Sequence, residues 1–102
     1  MATADFTVIP LGATGGVSEY LAEIHRRLDA QDRVSFEMHG MGTQLDGEPE
    51  DIFRLVAEMH GVPFEMGLPR VYTILKLDER RDQPARTNAD KEQSVRDQLG
   101  SA

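Results

Sequence analysis

Glu37-Met38-His39-Gly40-Met41-Gly42-Thr43-Gln44-Leu45-Asp46-Gly47-Glu48 decides how the rest of the chain is read, because it describes a β-hairpin running straight into a helix. On the way in, Val34, Phe36 and Met38 alternate with Ser35, Glu37 and His39; on the way out, Met41, Thr43 and Leu45 alternate with Gly42, Gln44 and Asp46. A period of two on both arms marks half-buried strands. A two-residue loop at His39-Gly40 is expected to set Met38 opposite Met41, Phe36 opposite Thr43 and Val34 opposite Leu45. One face is then apolar apart from a single hydroxyl, that of Thr43.

Upstream, Phe6-Thr7-Val8-Ile9-Pro10-Leu11 reads as a first strand closed by Gly12 and the Gly15-Gly16 pair. Ser18 is placed to cap a helix whose inward side carries Tyr20 or Leu21, Ile24 and Leu28. Downstream, Pro49 suits a first helical turn, Glu50 and Asp51 sit near its positive end, and Ile52, Leu55, Val56 and Met59 form the buried stripe. Gly67 is a natural stop. Within this helix Gly61-Val62-Pro63 predicts a kink or a break, since proline lacks the amide and its ring meets the carbonyl of Met59. Arg70 to Asp78 is a last strand, apolar on both sides over much of its length, which implies a central position or a contact between subunits. The run from Glu79 to Pro84 ends it, and from Asn88 a polar segment with Val95 and Leu99 as apolar anchors allows a short final helix.

The order is β-α-β-β-α-β with an optional helix at the end. This is an α+β, ferredoxin-like sandwich, a four-stranded antiparallel sheet with two helices on one face. At 102 residues the chain is expected to be a single domain, residues 1–102, small enough that association would add useful burial. It has no cysteine, so disulfides and thiolate metal sites are excluded. No apolar run approaches a membrane span, and Met1-Ala2-Thr3-Ala4-Asp5 lacks the regions of a signal peptide, so a soluble cytoplasmic protein without a membrane partner is expected. The formal charge of -7 argues against a nucleic-acid partner and would favour a cationic ligand.

Met41-Gly42-Thr43 followed by Gly47-Glu48 resembles the small thiamine-binding proteins of ferredoxin-like fold, formerly grouped as an uncharacterised family. Further elements in matching order are Ile9-Pro10-Leu11-Gly12, Val17-Ser18-Glu19-Tyr20, Phe64-Glu65-Met66-Gly67, Arg70-Val71 and Lys76-Leu77-Asp78-Glu79-Arg80-Arg81-Asp82. The chain departs from the family at Gly40, where proline is usual, and in the Gly61-Val62-Pro63 interruption. The resemblance implies a homo-oligomer, a homodimer or homotetramer, that binds thiamine or its hydroxymethylpyrimidine part without transforming it. It implies no catalytic residue, no metal and no cofactor beyond thiamine as ligand.

An aminopyrimidine offers ring-nitrogen acceptors and an amino donor, and thiazolium carries a positive charge, so the pocket needs a few polar groups among apolar walls. Thr43 and Ser18 can donate or accept, Met41, Pro10 and Leu11 can supply wall, and a carboxylate of Glu37 or Asp46 could face the amino group or the cation. Each residue also has a purely structural reading. Thr43 could bond a backbone carbonyl in the core, Ser18 could be a helix cap, and Glu37 and Asp46 could be solvated surface. Two other functional classes stay open: an enzyme using His39 or Glu37 in acid-base chemistry, and an interaction module that uses the sheet only to pair subunits.

Overall fold

The computed structural model describes residues 1–82 and 87–100. Its elements are β1 (Ala2–Leu11), α1 (Ser18–Asp29), β2 (Ser35–His39), β3 (Gly42–Gly47), α2 (Pro49–Glu65), β4 (Arg70–Glu79) and α3 (Asn88–Gly100). The strands form one antiparallel sheet in the order β2-β3-β1-β4, which is the ferredoxin-like arrangement. On the helix side Ala4, Phe6 and Val8 of β1 and Leu45 of β3 meet Ile24 and Leu28 of α1 and Ile52, Met59 and Val62 of α2. Leu28, Leu45, Ile52 and Met59 have no exposed surface, and each such side chain contributes about 1.5–3 kcal/mol through burial.

Several expectations need correction. β1 begins at Ala2 rather than Phe6, because Ala2 to Asp5 are flanked on both sides, by Gly47 to Gln44 and by Glu79 to Lys76. Two neighbouring strands override the weak strand preference of Ala and Asp. The hairpin loop is Gly40-Met41, so that Met38 faces Thr43 and Phe36 faces Leu45. The register is shifted by two residues, which keeps every side chain on its expected face but moves Met41 out of the strand to the turn, where it is 92% exposed. β1 fixes this position. The Thr7 hydroxyl donates to the Met41 carbonyl at 3.1 Å, and Gly42 lies so close to β1 that a Cβ there would sit 2.7 Å from Asp5 Oδ1.

Val17, not Ser18, occupies the cap position of α1, and its carbonyl accepts from the amides of Tyr20 and Leu21 at 3.1 Å each. Ser18 therefore lies inside the first turn and makes no side-chain cap bond. The expected break in α2 is absent: the helix runs through Gly61-Val62-Pro63 to Glu65. Pro63 falls in the last turn, where one helical bond is lost, and burial of Val62 and Pro63 offsets that loss. The helix stops as Gly67 takes φ +98°, with its amide donating to Phe64 and that of Leu68 donating to Pro63, both at 3.0 Å. These paired bonds are a Schellman ending.

Among the described residues β4 is an edge strand bonded to β1 alone, so its two-sided apolar pattern does not mark a central position. Val71, Leu75 and Leu77 pack toward the helices, while Tyr72 and Ile74 stand exposed on the opposite face. Of the run expected to end this strand, Gln83 and Pro84 lie outside the described residues. The final helix forms, but Val95 and Leu99 do not anchor it, being 60% and 73% exposed. Its start is a capping box, with Asp90 N donating to Thr87 Oγ1 at 3.1 Å and Thr87 N to Asp90 Oδ2 at 2.9 Å. Polar contacts dock it: Asn88 donates to Asp46 Oδ1 and Leu45 O, and Lys91 Nζ reaches Thr3 Oγ1 at 2.6 Å and Asp78 Oδ2 at 2.7 Å. The Lys91 ammonium holds the Asp78 carboxyl below the usual aspartate range.

Candidate functional site

The candidate site lies where two strands part. β1 pairs with β4 along all of Ala2 to Leu11, but with β3 only from Ala2 to Phe6, because the hairpin turns away beyond Thr43. From Thr7 to Leu11 the main-chain groups of β1 that point away from β4 have no strand beside them among the described residues. Leu21, Ile24 and Leu28 of α1 roof this gap, Phe6 and Val8 line it from β1, and the residues from Met38 to Thr43 close its side. The result is a partly open cleft of about 240 Å³.

Among the described residues, no aspartate, glutamate, lysine or arginine lines the cleft. Its polar groups are the hydroxyls of Thr7 and Thr43, the His39 ring and the main chain of the turn. Thr7 is occupied by Met41 O. Thr43 is 9% exposed and its hydroxyl makes no side-chain hydrogen bond among the described residues, while no fully buried side-chain polar atom there is left without a partner. The Thr43 hydroxyl is thus free to bond a group that enters the cleft.

Of the seven residues singled out from the sequence, the structure brings Thr43 and Met41 together at this cleft, Met41 at its turn rather than in a buried wall. Pro10 and Leu11 continue the unpaired stretch of β1 beyond the cleft lining, Pro10 buried and Leu11 half-buried. Ser18 lies in an adjoining groove with Leu21, His25 and Met38. Glu37 is exposed, with its carboxylate 3.7 Å from His39 Nε2, and Asp46 is bonded to Asn88 of α3. Phe6, Thr7, Val8, Leu21, Ile24 and Leu28 were not singled out as site residues. Their stripe reads as core, and only the early end of β3 reveals that part of it faces a cleft.

The three histidines go to separate partners. His25 Nδ1 is 3.0 Å from Met38 Sδ, His39 pairs with Glu37, and His60 Nδ1 is 2.7 Å from Thr73 Oγ1. Among the described residues no group of three His, Cys, Asp or Glu is placed to hold a metal ion. No helix is long and apolar enough to cross a membrane among the residues described. Beside the groove, Arg26 donates to Glu23 at 3.0 Å, and this bond, with that from Arg27, holds the Glu23 carboxyl below its usual range.

The sequence profile of the thiamine-binding proteins matches residues 4–96. The chain belongs to the thiamine-binding protein family. Among relatives of this thiamine-binding family member, a UPF0045 protein of Methanothermobacter thermautotrophicus is 39% identical over 101 residues, covering 97% of this chain and 100% of its own. Another UPF0045 protein, from Staphylococcus xylosus, is 39% identical over 86% of each chain. A solved structure of a hypothetical protein from Methanocaldococcus jannaschii superposes with a TM-score of 0.81 at 30% identity, over 92% of this chain and 94% of that one. A Thermotoga maritima structure, named as a candidate thiamine biosynthesis/salvage protein, shares the fold with a TM-score of 0.75 at 18% identity, over 92% and 97% of the two chains.

Proposed function

We propose that this chain binds thiamine or its hydroxymethylpyrimidine moiety in the cleft between α1, β1 and the β2-β3 turn, and releases it unchanged. Family membership supports the ligand class. The observation that carries the placement is the free Thr43 hydroxyl beside the unpaired stretch of β1, a set of fixed donors and acceptors among apolar walls. An aminopyrimidine needs both kinds of partner, and a strand without a neighbour presents both at alternating positions. An uncharged lining suits a neutral ring. The thiazolium cation would lie outside this uncharged lining, in reach of solvent and of the net negative charge of the chain, which stabilise it.

The non-enzymatic reading rests on the same lining, in which His39 is the one titratable side chain among the described residues. Thiamine is here the ligand, with no further cofactor. The protein acts as a homo-oligomer in the cytoplasm, without a nucleic-acid or membrane partner. Association is supported by the outer sheet face, where Ile9 and Tyr72 are paired across β1 and β4 and, with Ile74, stand exposed beyond the reach of the α3 contacts. An apolar patch on an edge strand favours a second copy of the chain.

Thermal melts with millimolar thiamine and with hydroxymethylpyrimidine test the ligand. A ligand at about a hundred times its Kd adds roughly 2.7 kcal/mol, which raises Tm by ten degrees or more in a domain of about 100 residues. Mass spectrometry of the recovered ligand should find it intact. No shift with either compound refutes the binding reading, and a changed product refutes the non-enzymatic one. Light scattering should give a multiple of 11.4 kDa, and the mass of one chain would refute the assembly.

A further inference from the structure

The cleft has a neighbour on the outer side of α1. A groove of about 500 Å³ runs between α1 and β2, walled by Ser18, Leu21, His25 and Met38 among others, and it shares Leu21 and Met38 with the cleft. Met38 is the movable part of that shared wall. It projects from β2, opposite Thr43, and its sulfur lies 3.0 Å from His25 Nδ1. His25 is itself fixed from two further sides, by Asp29 Oδ2 at 3.3 Å from Nε2 and by an edge contact with Phe36 at a centroid distance of 5.8 Å.

The geometry points to a second subsite: the groove takes the second ring of a two-ring ligand whose first ring fills the cleft, and Met38, held by His25, is the partition that selects between one-ring and two-ring ligands. This rests on the reading of the cleft as the pyrimidine site. The volumes carry it. At about 240 Å³ the cleft falls below the roughly 300–1,000 Å³ of sites for drug-sized ligands, which suits one ring, whereas cleft and groove together fall inside that range. The groove wall is largely apolar, and the charge of Arg26 at its edge is offset by Glu23, so among the described residues the groove offers a surface for a ring. Thioether side chains are flexible, and half-exposed ones such as Met38 change rotamer within nanoseconds, so the partition is an equilibrium rather than a fixed wall. Breaking the contact to His25 is the energetic term that a two-ring ligand must overcome and a one-ring ligand need not.

Isothermal titration of thiamine and hydroxymethylpyrimidine against the wild type, Met38→Ala and His25→Leu tests this. Removing the partition should shift the ratio of the two affinities toward thiamine by about five- to tenfold, and His25→Leu should shift it the same way by less. Methyl NMR of the wild type supplies a second readout: the Met38 methyl signal should move markedly further with thiamine than with hydroxymethylpyrimidine, which touches this side chain from the cleft side alone. An unchanged affinity ratio with both ligands still bound, or a Met38 signal that responds equally to both, overturns the partition and leaves the cleft assignment standing. Failure of the wild type to bind either compound overturns both.

Discussion

Replacing Thr43 by valine keeps the β-branched shape in β3 and removes one hydroxyl. That hydroxyl makes no side-chain bond among the described residues, so the folded protein loses no internal hydrogen bond, and the apolar neighbours Phe6 and Met38 accept a methyl group in its place. Stability should therefore change by less than about 0.5 kcal/mol, the range of substitutions that disturb no structural feature. Ligand binding should lose one neutral hydrogen bond, about 1 kcal/mol, or a factor of roughly five in Kd. Calorimetry of thiamine binding and a thermal melt on the same variant separate these terms. The reasoning is refuted if Tm drops by several degrees while affinity is untouched, since Thr43 would then be bonded within the core.

Gly61 lies inside α2 with open space where a Cβ would go and without positive φ, so Gly61→Ala should stabilise by about 0.5–1 kcal/mol and raise Tm by a few degrees. Gly67, at φ +98°, should respond in the opposite direction, and Gly67→Ala should cost about 1–2 kcal/mol in a chemical-denaturation curve. Asp78 has its pKa lowered in the folded state by Lys91, so its contribution is present above the ordinary aspartate value and lost as pH falls through the lowered one. The backbone NMR signals of α3 should accordingly move toward undocked positions below about pH 4, and Lys91→Met should weaken this dependence.

The hairpin stretch allowed the fold to be read because its two arms keep period two up to Asp46 and Pro49 then opens a helix; a two-residue error in register left both faces correct. What escaped was decided by contacts distant in sequence. The turn position is set by Thr7 and Asp5 across the sheet, and the start of β1 by the strands on either side of it. In α2 the proline rule was correct locally, but its weight depended on Pro63 lying in the last turn and being buried. For α3, two apolar residues suggested anchoring that Asn88 and Lys91 supply instead, a polar docking that no hydrophobic pattern announces. Thr43 was legible as a candidate site residue because it interrupts an apolar face. Leu21, Ile24 and Val8 were not, since a cleft wall and a core share the same residue types.

Amide NMR during a thiamine titration locates the bound ligand residue by residue. Saturable shifts are expected at Val8, at Thr43 and along Met38 to Gly42, with α2 and the outer face of β4 unaffected. Shifts confined to other surfaces, or none at millimolar thiamine, would contradict it.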